Sequence, residues 1–391
     1  MPTIRASGLQ WRAPTLHTDN ETLLTQHRAA VQRWRSGWTR NPSSDKFVTV
    51  VDARVLFRSG SHGYGSFSGV VYNDSLVVRH KDWWIDAPPN TSNSRCDGFV
   101  SGPAVALHSR WLHSFGHVVS DFLPMVSSVL GHSGDAHLIL IYTPVVKAIF
   151  KALAPALTDR LYLVARDVWT CVSGNLRVLL PGAGNPFAWH RTQHVQNFRA
   201  RLDTWIPFVR PRRGIVTYTT RTRLTAKNGR RIPHSHNHAI QREVRRAMRA
   251  HQRQEHFRVH YGTARVSVQM QLFHSSTFAI GPHGASMANT LWMNIGDRRA
   301  VPGVLEFICT PLSVRVQDNG GCPWANTYYW FLSGAQWVDY HHIGFAPNSS
   351  ARHTYINLTE LRVGLRALFT NSMHLESCRP GGRQHSLHPF P

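Results

Sequence analysis

Long apolar runs are absent from this sequence of 391 residues. No segment reaches the roughly 18 to 20 apolar residues of a membrane-spanning helix, and the N-terminus lacks the basic-then-apolar pattern of a signal peptide. The five cysteines include no Cys-x-x-Cys pair, which argues against a zinc site. Acidic residues are also scarce, with 21 Asp and Glu against 44 Lys and Arg. The sequence therefore predicts neither a membrane anchor nor a cysteine-based metal centre.

The excess of basic residues gives the chain a formal net charge of +23. Such a surface attracts polyanions, and charge alone permits nucleic acid, acidic glycans or a membrane surface as partners. The basic residues are scattered over both halves, without the basic stripe interleaved with aromatic residues that marks nucleic-acid binding. Nucleic acid is therefore not the expected partner, while a non-enzymatic polyanion-binding protein stays open as an alternative. The apolar content of 42% fits a folded globular protein.

The pattern of apolar residues predicts two α/β domains. The first opens as a β meander and continues with a buried strand and helices. The second alternates between strands and helices, which is typical of a doubly wound parallel sheet. We expect, in chain order, a poorly ordered N-terminal arm, a first α/β domain, a linker, a second, Rossmann-like α/β domain, a C-terminal helix and a disordered tail: residues 1–45, 46–206, 207–213, 214–356, 357–370 and 371–391.

A glycine-rich turn lies between a strand pattern and a helical pattern in the second domain. The apolar run 278–280 breaks at Gly-Pro-His-Gly, residues 281–284, and apolar residues at helical spacing follow at once. Such a junction presents backbone N–H groups and the positive end of a helix dipole to one point, which suits a phosphate. His283, Ser286 and Asn289 can add side-chain donors. The same pattern also fits an ordinary tight connection in which His283 bonds the local backbone.

Two further residues follow predicted strands of the same domain. Arg221 ends the first strand, and Glu306 lies near the end of the apolar strand 304–307. Ligands of doubly wound sheets bind outside the carboxyl ends of the strands, so Arg221 and the turn at 281–284 can face one ligand. An arginine fork grips a phosphate through two hydrogen bonds, and a carboxylate can accept from both ribose hydroxyls. Alternatively, Arg221 belongs to a solvated basic loop, 221–231, and Glu306 to a strand-end salt bridge.

A third pattern lies in the first domain. Apolar residues at helical spacing predict a helix over 115–130, with Pro124 near its start or at a kink. His117 and Asp121 are four residues apart on one face of this helix, within hydrogen-bonding range. A carboxylate held by a histidine in a cleft can act as a general base. An ordinary surface pair is the alternative, and Asp86 is a further candidate base.

These motifs resemble a known family. Gly-Pro-His-Gly-Ala, then Asn289 and Val-Leu-Glu at 304–306, resembles the signature of glycosyltransferase family 61, in which His-Gly-Ala-Gly-Leu-Thr-Asn is usual. His-x-x-x-Asp-x-x-Pro, which begins at His117, is similar to the family's other recurring motif. A strand followed by Thr-Arg, as at Arg221, is a family pattern too. The resemblance covers roughly residues 105–370 and departs at Ser286, where the family usually has glycine.

The resemblance implies a GT-B fold, with two Rossmann-like domains facing a cleft: an acceptor-side domain at 46–206 and a nucleotide-sugar-binding domain at 214–356. It also implies an inverting transferase that moves N-acetylglucosamine, xylose or arabinose from a UDP-sugar to a hydroxyl of a glycan or glycoprotein, in the Golgi or endoplasmic reticulum lumen. Asp121, oriented by His117, is then the base. The residues assigned to the nucleotide-sugar are Arg221, His283, Gly284, Ala285, Ser286, Asn289 and Glu306.

No metal cofactor is expected. Enzymes that neutralise a sugar-nucleotide diphosphate through a metal ion usually carry Asp-x-Asp, and this sequence has none. The charge of the diphosphate would then be met by arginine and by helix N-terminal amides. The alternating histidines His234, His236 and His238 lie in a stretch without predicted structure, and we expect them to be exposed rather than metal ligands. An inactive nucleotide-binding relative is a further alternative, supported only by Ser286.

Overall fold

The computed structural model describes the part of the chain that forms two compact units. One lies within Asn41–Pro207, and the other within Phe208–Pro391 together with residues of Met1–Arg40. Both are built from strands and helices, so the predicted α/β class is confirmed. The described residues are 15–18, 21, 24–25, 28, 46–59, 67–73, 78, 95–109, 112–130, 134–153, 155–180, 192–205, 208, 214–221, 231–294, 302–309, 338–345, 347–348 and 353–374.

The strands of the described ranges, in chain order, are β1 Thr15–His17, β2 Lys46–Ser59, β3 Phe67–Tyr72, β4 Gly98–Ser101, β5 Ala104–Ala106, β6 His137–Ile141, β7 Leu161–Val164, β8 Thr170–Leu180, β9 Ile215–Thr219, β10 His256–His260, β11 Ser276–Pro282, β12 Gly303–Cys309, β13 Asp339–Phe345, β14 Pro347–Asn348 and β15 His353–Thr354. Helix α1 combines an α-helical turn Phe115–His117, a π-helical turn Val118–Phe122 and an α-helix Leu123–Leu130. The others are α2 Pro144–Leu153, α3 Pro155–Thr158, α4 Thr192–Trp205, α5 His234–Ala250, α6 Val266–His274 and α7 Leu358–His374, with a 3₁₀ helix at Ala285–Trp292.

The sheet of the first unit has the order β3-β2-β8-β5-β6-β7 among the described residues, with β4 beside β8. Strands β2 and β3 pair antiparallel, as the predicted meander required, while β5, β6 and β7 run parallel to one another. Four of the five residues of β6 are buried, as expected for an apolar strand covered on both faces. Helix α1 follows β5 in the chain, so it starts near the carboxyl end of this sheet.

A disulfide joins Cys96 to Cys171 in the first unit. The two Cα atoms lie 5.7 Å apart, and the bond closes a sequence separation of 75 residues. Cys171 belongs to β8, and Cys96 lies just before β4, the strand that pairs with β8. The bond therefore connects two segments that the sheet already brings together. Disulfides of this kind persist in oxidising compartments.

The sheet of the second unit is parallel throughout its described strands, in the order β1-β13-β12-β11-β9-β10. Without β1, the strands follow the order second, first, third, fourth, fifth, which is a doubly wound arrangement. The direction of winding reverses between β9 and β11, and ligands of such sheets bind at that switch point. Helices α5 and α7 bury apolar residues against the sheet in one core, including Ile240, Val244, Leu361 and Leu365. This core thus supports β9 and β11, the two strands at the switch point.

The N-terminal segment differs from the predicted arm. Residues 15–17 form β1, which adds an edge strand to β13, and Leu16 is buried. His17 Nε2 lies 2.9 Å from His341 Nδ1, and the Thr18 hydroxyl donates to Glu360 Oε1 at 2.8 Å. Three residues are too few to show a period of two, so the sequence could not indicate this strand. Of the predicted linker, 207–213, only Phe208 is among the described residues. Residues 375–391 of the predicted tail lie outside them.

Protonation of His17 is expected to destabilise the protein. Burial first, and then His341, lowers the pKa of His17 from 6.5 to about 4, although Asp339 opposes the shift. The unfolded chain therefore binds this proton at a higher pH than the folded protein does, so stability is lost as the pH falls. We expect the melting temperature to decrease between about pH 6.5 and pH 4, and His17→Asn to weaken that dependence. Thermal melts across the range measure it.

The exposed His256 offers a matched control. His256→Asn should keep the wild-type pH dependence, because the His256 side chain is exposed and its replacement removes no buried imidazole. An identical slope for wild type and His17→Asn would contradict the assignment.

Candidate functional site

Arg221 and the Gly-Pro-His-Gly turn meet at the switch point of the second sheet. Arg221 lies two residues beyond β9, and β11, the strand paired with β9, includes Gly281 and Pro282 of the turn and leads directly into His283 and Gly284. Gly284 has φ 147° and ψ −173°, a backbone conformation open essentially only to glycine. A Cβ atom built on Gly284 would collide with the Arg221 guanidinium. The structure therefore packs the arginine directly against the backbone of the turn, as the predicted pairing required.

Gly281 allows a second close approach in the same turn. A Cβ atom there would lie 2.7 Å from the Thr219 carbonyl oxygen and would also overlap the Thr219 side chain. Thr219 is the last residue of β9, so the two glycines let β11 and its turn lie against β9 and the residues that follow it. Any side chain at either position would separate the two strand ends.

The His283 ring is hydrogen-bonded to a buried carboxylate, that of Glu306. Its Nδ1 lies 2.8 Å from Glu306 Oε1, and its backbone N–H donates to the Phe307 carbonyl at 2.9 Å. Glu306 is 1% exposed, and its other oxygen accepts a hydrogen bond from the Tyr340 hydroxyl. This differs from the predicted role of Glu306 at a ribose, because both carboxylate oxygens already bond protein side chains. Glu306 instead orients the His283 ring through Nδ1.

Asn289 also has a different environment from the one predicted. Its side-chain amide donates to Gln269 Oε1 at 3.0 Å and to the Ser286 carbonyl at 3.1 Å, while its oxygen accepts from Trp292 Nε1. The residue is fully buried. It therefore stabilises the segment after the turn and is not placed as a donor to a ligand.

The segment after the turn is a 3₁₀ helix rather than the predicted α-helix. Its first repeating bond runs from the Met287 N–H to the Gly284 carbonyl, 2.8 Å away. Ala285 is exposed and Ser286 half-buried, so these two residues stand at the surface of the helix start.

Asn237 is a site residue that sequence reasoning did not assign. Its side-chain oxygen accepts from the Tyr218 hydroxyl at 2.6 Å and from the Thr220 hydroxyl at 2.9 Å. Burial raises the pKa of Tyr218, which stays a neutral donor. This pair of bonds ties the first turn of α5 to the residues that precede Arg221. A lone asparagine in a helix start carries no local signal of such a contact.

In the first unit, the structure brings His117 and Asp121 together. His117 Nδ1 lies 2.8 Å from Asp121 Oδ2, and the Ser120 hydroxyl donates to Asp121 Oδ1 at 2.7 Å. Asp121 is 3% exposed, whereas 32% of the His117 side chain is exposed. A base has to reach its substrate, so burial argues against the predicted role of Asp121 as the base. The geometry matches a histidine held by a carboxylate.

The π-helical turn explains how helix α1 contains Pro124. Proline has no N–H to donate to the residue four positions earlier, and within Val118–Phe122 the register widens so that Leu123 N–H bonds the Val118 carbonyl. The predicted helix over 115–130 is therefore confirmed, with its irregularity at the proline. Turns of this kind are frequent at functional sites. Asp86, the other predicted base, lies outside the described residues.

The three alternating histidines belong to helix α5, not to an unstructured stretch. His236 is half-buried and its Nε2 accepts from the Ile356 N–H at 2.8 Å. His234 and His238 are exposed, with their Nε2 atoms 3.0 Å apart. Among the described residues, no group of three or more His, Cys, Asp or Glu side chains is arranged to hold a metal ion.

Both sites fall within one segment that matches a protein-family model. Residues 115–299 match the family model Glycosyltransferase 61. This match confirms the resemblance predicted from the two motifs and supports glycosyl transfer by the chain. The family 61 segment contains the His117–Asp121 pair, Arg221 and the turn at 281–284. Glu306 and Tyr340 lie beyond it, on strands that complete the same sheet.

Solved structures add little to the family 61 match. The bacterial iron-containing dodecameric glycosyltransferase TibC from enterotoxigenic E. coli H10407 is 10% identical, with coverage of 68% of this chain and 76% of that chain and a TM-score of 0.27. A structure of dodecameric iron-containing heptosyltransferase TibC with ADP-D-beta-D-heptose is also 10% identical, with coverage of 64% and 73% and a TM-score of 0.26. At these scores the likeness carries no inference. No curated protein matches the sequence, and no helix in the described ranges is long and apolar enough to cross a membrane.

Proposed function

We propose that this protein is an inverting glycosyltransferase that moves a sugar from a UDP-sugar to a hydroxyl of a glycan or glycoprotein. The observation that carries the proposal is the contact of Arg221 with the backbone of Gly284 at the switch point. A guanidinium beside a glycine turn at that point is suited to bind a diphosphate. We further propose that the two units are the donor and acceptor domains of a GT-B enzyme.

On the donor side, five residues have roles in this proposal. Arg221 grips the diphosphate, and the amides of Ala285 and Ser286 donate to its oxygens. His283 donates from Nε2, with Glu306 holding the other ring nitrogen. Fixed donors of this kind stabilise the charge that develops on the leaving group, so the departing nucleoside diphosphate needs no proton. A metal ion has no assigned role.

On the acceptor side, we assign the base to His117 and its orientation to Asp121. The acceptor hydroxyl gives its proton to His117 Nε2, and its oxygen forms the bond to the anomeric carbon. The bond from that carbon to the diphosphate oxygen breaks at the same time, and the electron pair leaves with the nucleoside diphosphate. Attack on the face opposite the leaving group inverts the anomeric centre. Asp121 stabilises the imidazolium that forms.

The disulfide supports the compartment that the family resemblance implies. Cys96 and Cys171 would persist as a pair in the Golgi or endoplasmic reticulum lumen, where disulfides are stable. Acceptors of a luminal transferase are glycans and glycoproteins, which fits the proposed activity.

Nucleotide binding tests the proposal directly. We expect UDP or a UDP-sugar, with EDTA present, to raise the melting temperature, because a ligand at about 100 times its Kd adds about 2.7 kcal/mol to stability. Arg221→Ala should weaken that nucleotide roughly 10- to 150-fold, the value of a charged hydrogen bond. GDP, CMP, UDP-N-acetylglucosamine, UDP-xylose and UDP-arabinose complete the screen.

Arg258→Ala is the matched control, since Arg258 is an exposed arginine in the middle of β10. It should bind the nucleotide as wild type does. No shift with any nucleotide, together with salt-dependent binding to heparin, would reject the transferase and favour the polyanion-binding alternative that the net charge of +23 suggests.

A further inference from the structure

A surface tyrosine lies at the carboxyl end of the strand next to Arg221. Tyr261 follows β10 directly and is 49% exposed. Strand β10 pairs with β9 up to the register His260 with Thr219, and the Thr220 N–H donates to the His260 carbonyl at 3.0 Å. Tyr261 therefore leaves the sheet beside the residue that precedes Arg221.

The loop that carries Tyr261 is anchored by hydrogen bonds from helix α6. Gln269 of α6 donates to the Ala264 carbonyl at 2.7 Å and bonds the buried His260 ring. The same Gln269 accepts from Asn289, which in turn bonds the Ser286 carbonyl. One buried network thus joins the end of β10 to the segment after the Gly284 turn. Nothing in it constrains the exposed ring of Tyr261, which faces solvent on a firmly anchored loop.

The spacing of the strands sets the distance between the two sites. Strands β11, β9 and β10 are consecutive neighbours, and parallel strands lie about 4.8 Å apart. The end of β10 is therefore about 10 Å across the sheet edge from the turn after β11, with Arg221 between them. This span is comparable with the distance from the phosphates to the base of a nucleoside 5′-diphosphate. A diphosphate at Arg221 would bring its base over the end of β10.

We propose that Tyr261 is the platform on which the base of the donor nucleotide stacks. The inference rests on the proposed nucleotide-sugar function and adds the nucleobase subsite to it. An aromatic ring offers every base a face to stack on, so the tyrosine supplies affinity, and discrimination between bases falls to hydrogen bonds at the base edge. The firm anchoring of the loop suits this role because it leaves little to be ordered on binding.

Calorimetric titration of the full chain with UDP, ADP, GDP, CDP and inorganic pyrophosphate tests the platform. Tyr261→Ala should weaken the preferred nucleoside diphosphate by about 5- to 150-fold, the range of base stacking on an aromatic side chain. Tyr261→Phe should bind it as wild type does, since the ring face is kept. Pyrophosphate, which has no base, should bind all variants equally. Phe99→Ala, which removes an exposed aromatic ring in the other unit, is the control and should change nothing.

The outcomes separate this inference from the proposed function. Undiminished nucleotide binding by Tyr261→Ala would overturn the platform and leave the transferase proposal standing. Equal affinity of the wild type for pyrophosphate and for every nucleotide would also overturn it, because the base would then contribute nothing. Binding of neither pyrophosphate nor any nucleotide would reject both proposals. An unchanged melting temperature of Tyr261→Ala without ligand shows that any loss is not a loss of folding.

Discussion

Replacing His117 with alanine is expected to lower the rate of sugar transfer by about 10²- to 10⁴-fold, the usual contribution of a general base. Nucleotide affinity should stay at the wild-type value, because His117 belongs to the first unit and the diphosphate residues to the second. The acceptor hydroxyl would lose the group that takes its proton, while the donor and its leaving group are untouched. Steady-state kinetics with nucleotide titration in parallel measures both.

Added imidazole should restore part of the activity of His117→Ala, since a small base can enter the space left by the side chain. Asp121→Asn should also reduce the rate, because the ring loses the carboxylate that orients it, but imidazole should not restore it. His137→Gln, which alters a half-buried histidine on β6, serves as the control. Full activity of His117→Ala without imidazole would remove His117 from the mechanism. Asp121 or Asp86 would then be the candidate base.

Gly284→Ala is expected to weaken nucleotide binding by at least about 100-fold. The new Cβ would occupy the space of the Arg221 guanidinium, and alanine is strained at a φ of 147°. The arginine must move away, so its charged hydrogen bonds to the diphosphate are lost together with the shape of the turn. Calorimetric titration with UDP measures the loss, and thermal melts report whether the second unit stays folded.

A double variant distinguishes this mechanism from general damage. If Gly284→Ala acts by displacing Arg221, then adding Arg221→Ala should cost little more, because both changes remove one interaction. Gly102→Ala is the control for backbone strain alone, since Gly102 has φ 89° but open space around its Cα. Full nucleotide affinity in Gly284→Ala would show that the turn does not hold the diphosphate.

Local sequence patterns predicted the features that depend on residues close together in the sequence. The i, i+4 pairing of His117 with Asp121 is a property of any helix, and the kink at Pro124 follows from its missing N–H. The alternation of strands and helices in the second half indicated a parallel sheet, and a parallel sheet has its ligand edge at the strand ends. These inferences needed no knowledge of distant contacts.

The sequence did not predict which site residues are buried or which distant residues they contact, so it assigned some of their roles wrongly. The helix brings His117 and Asp121 together whichever of them is the base. Only the packing around α1 shows that the Asp121 carboxylate is buried and the His117 imidazole partly exposed. Glu306 lies in the middle of β12 rather than at the strand end that the sequence predicted, and Tyr340 on β13 bonds the oxygen that was expected to meet a ribose. Asn289 likewise bonds Gln269, twenty residues away in the sequence.

By itself the sequence determined the resemblance to glycosyltransferase family 61, the α/β class and the glycines at 281 and 284, because each depends on residue types at short, fixed spacings. Tertiary structure alone decided that Arg221 packs on Gly284, that β1 joins β13 and that Tyr261 is exposed at the carboxyl end of β10, beside β9. The difference is physical. Spacing along a helix or turn is set by backbone geometry, whereas exposure and partners depend on which distant segments share a core, and that choice lies in the folding of the whole chain.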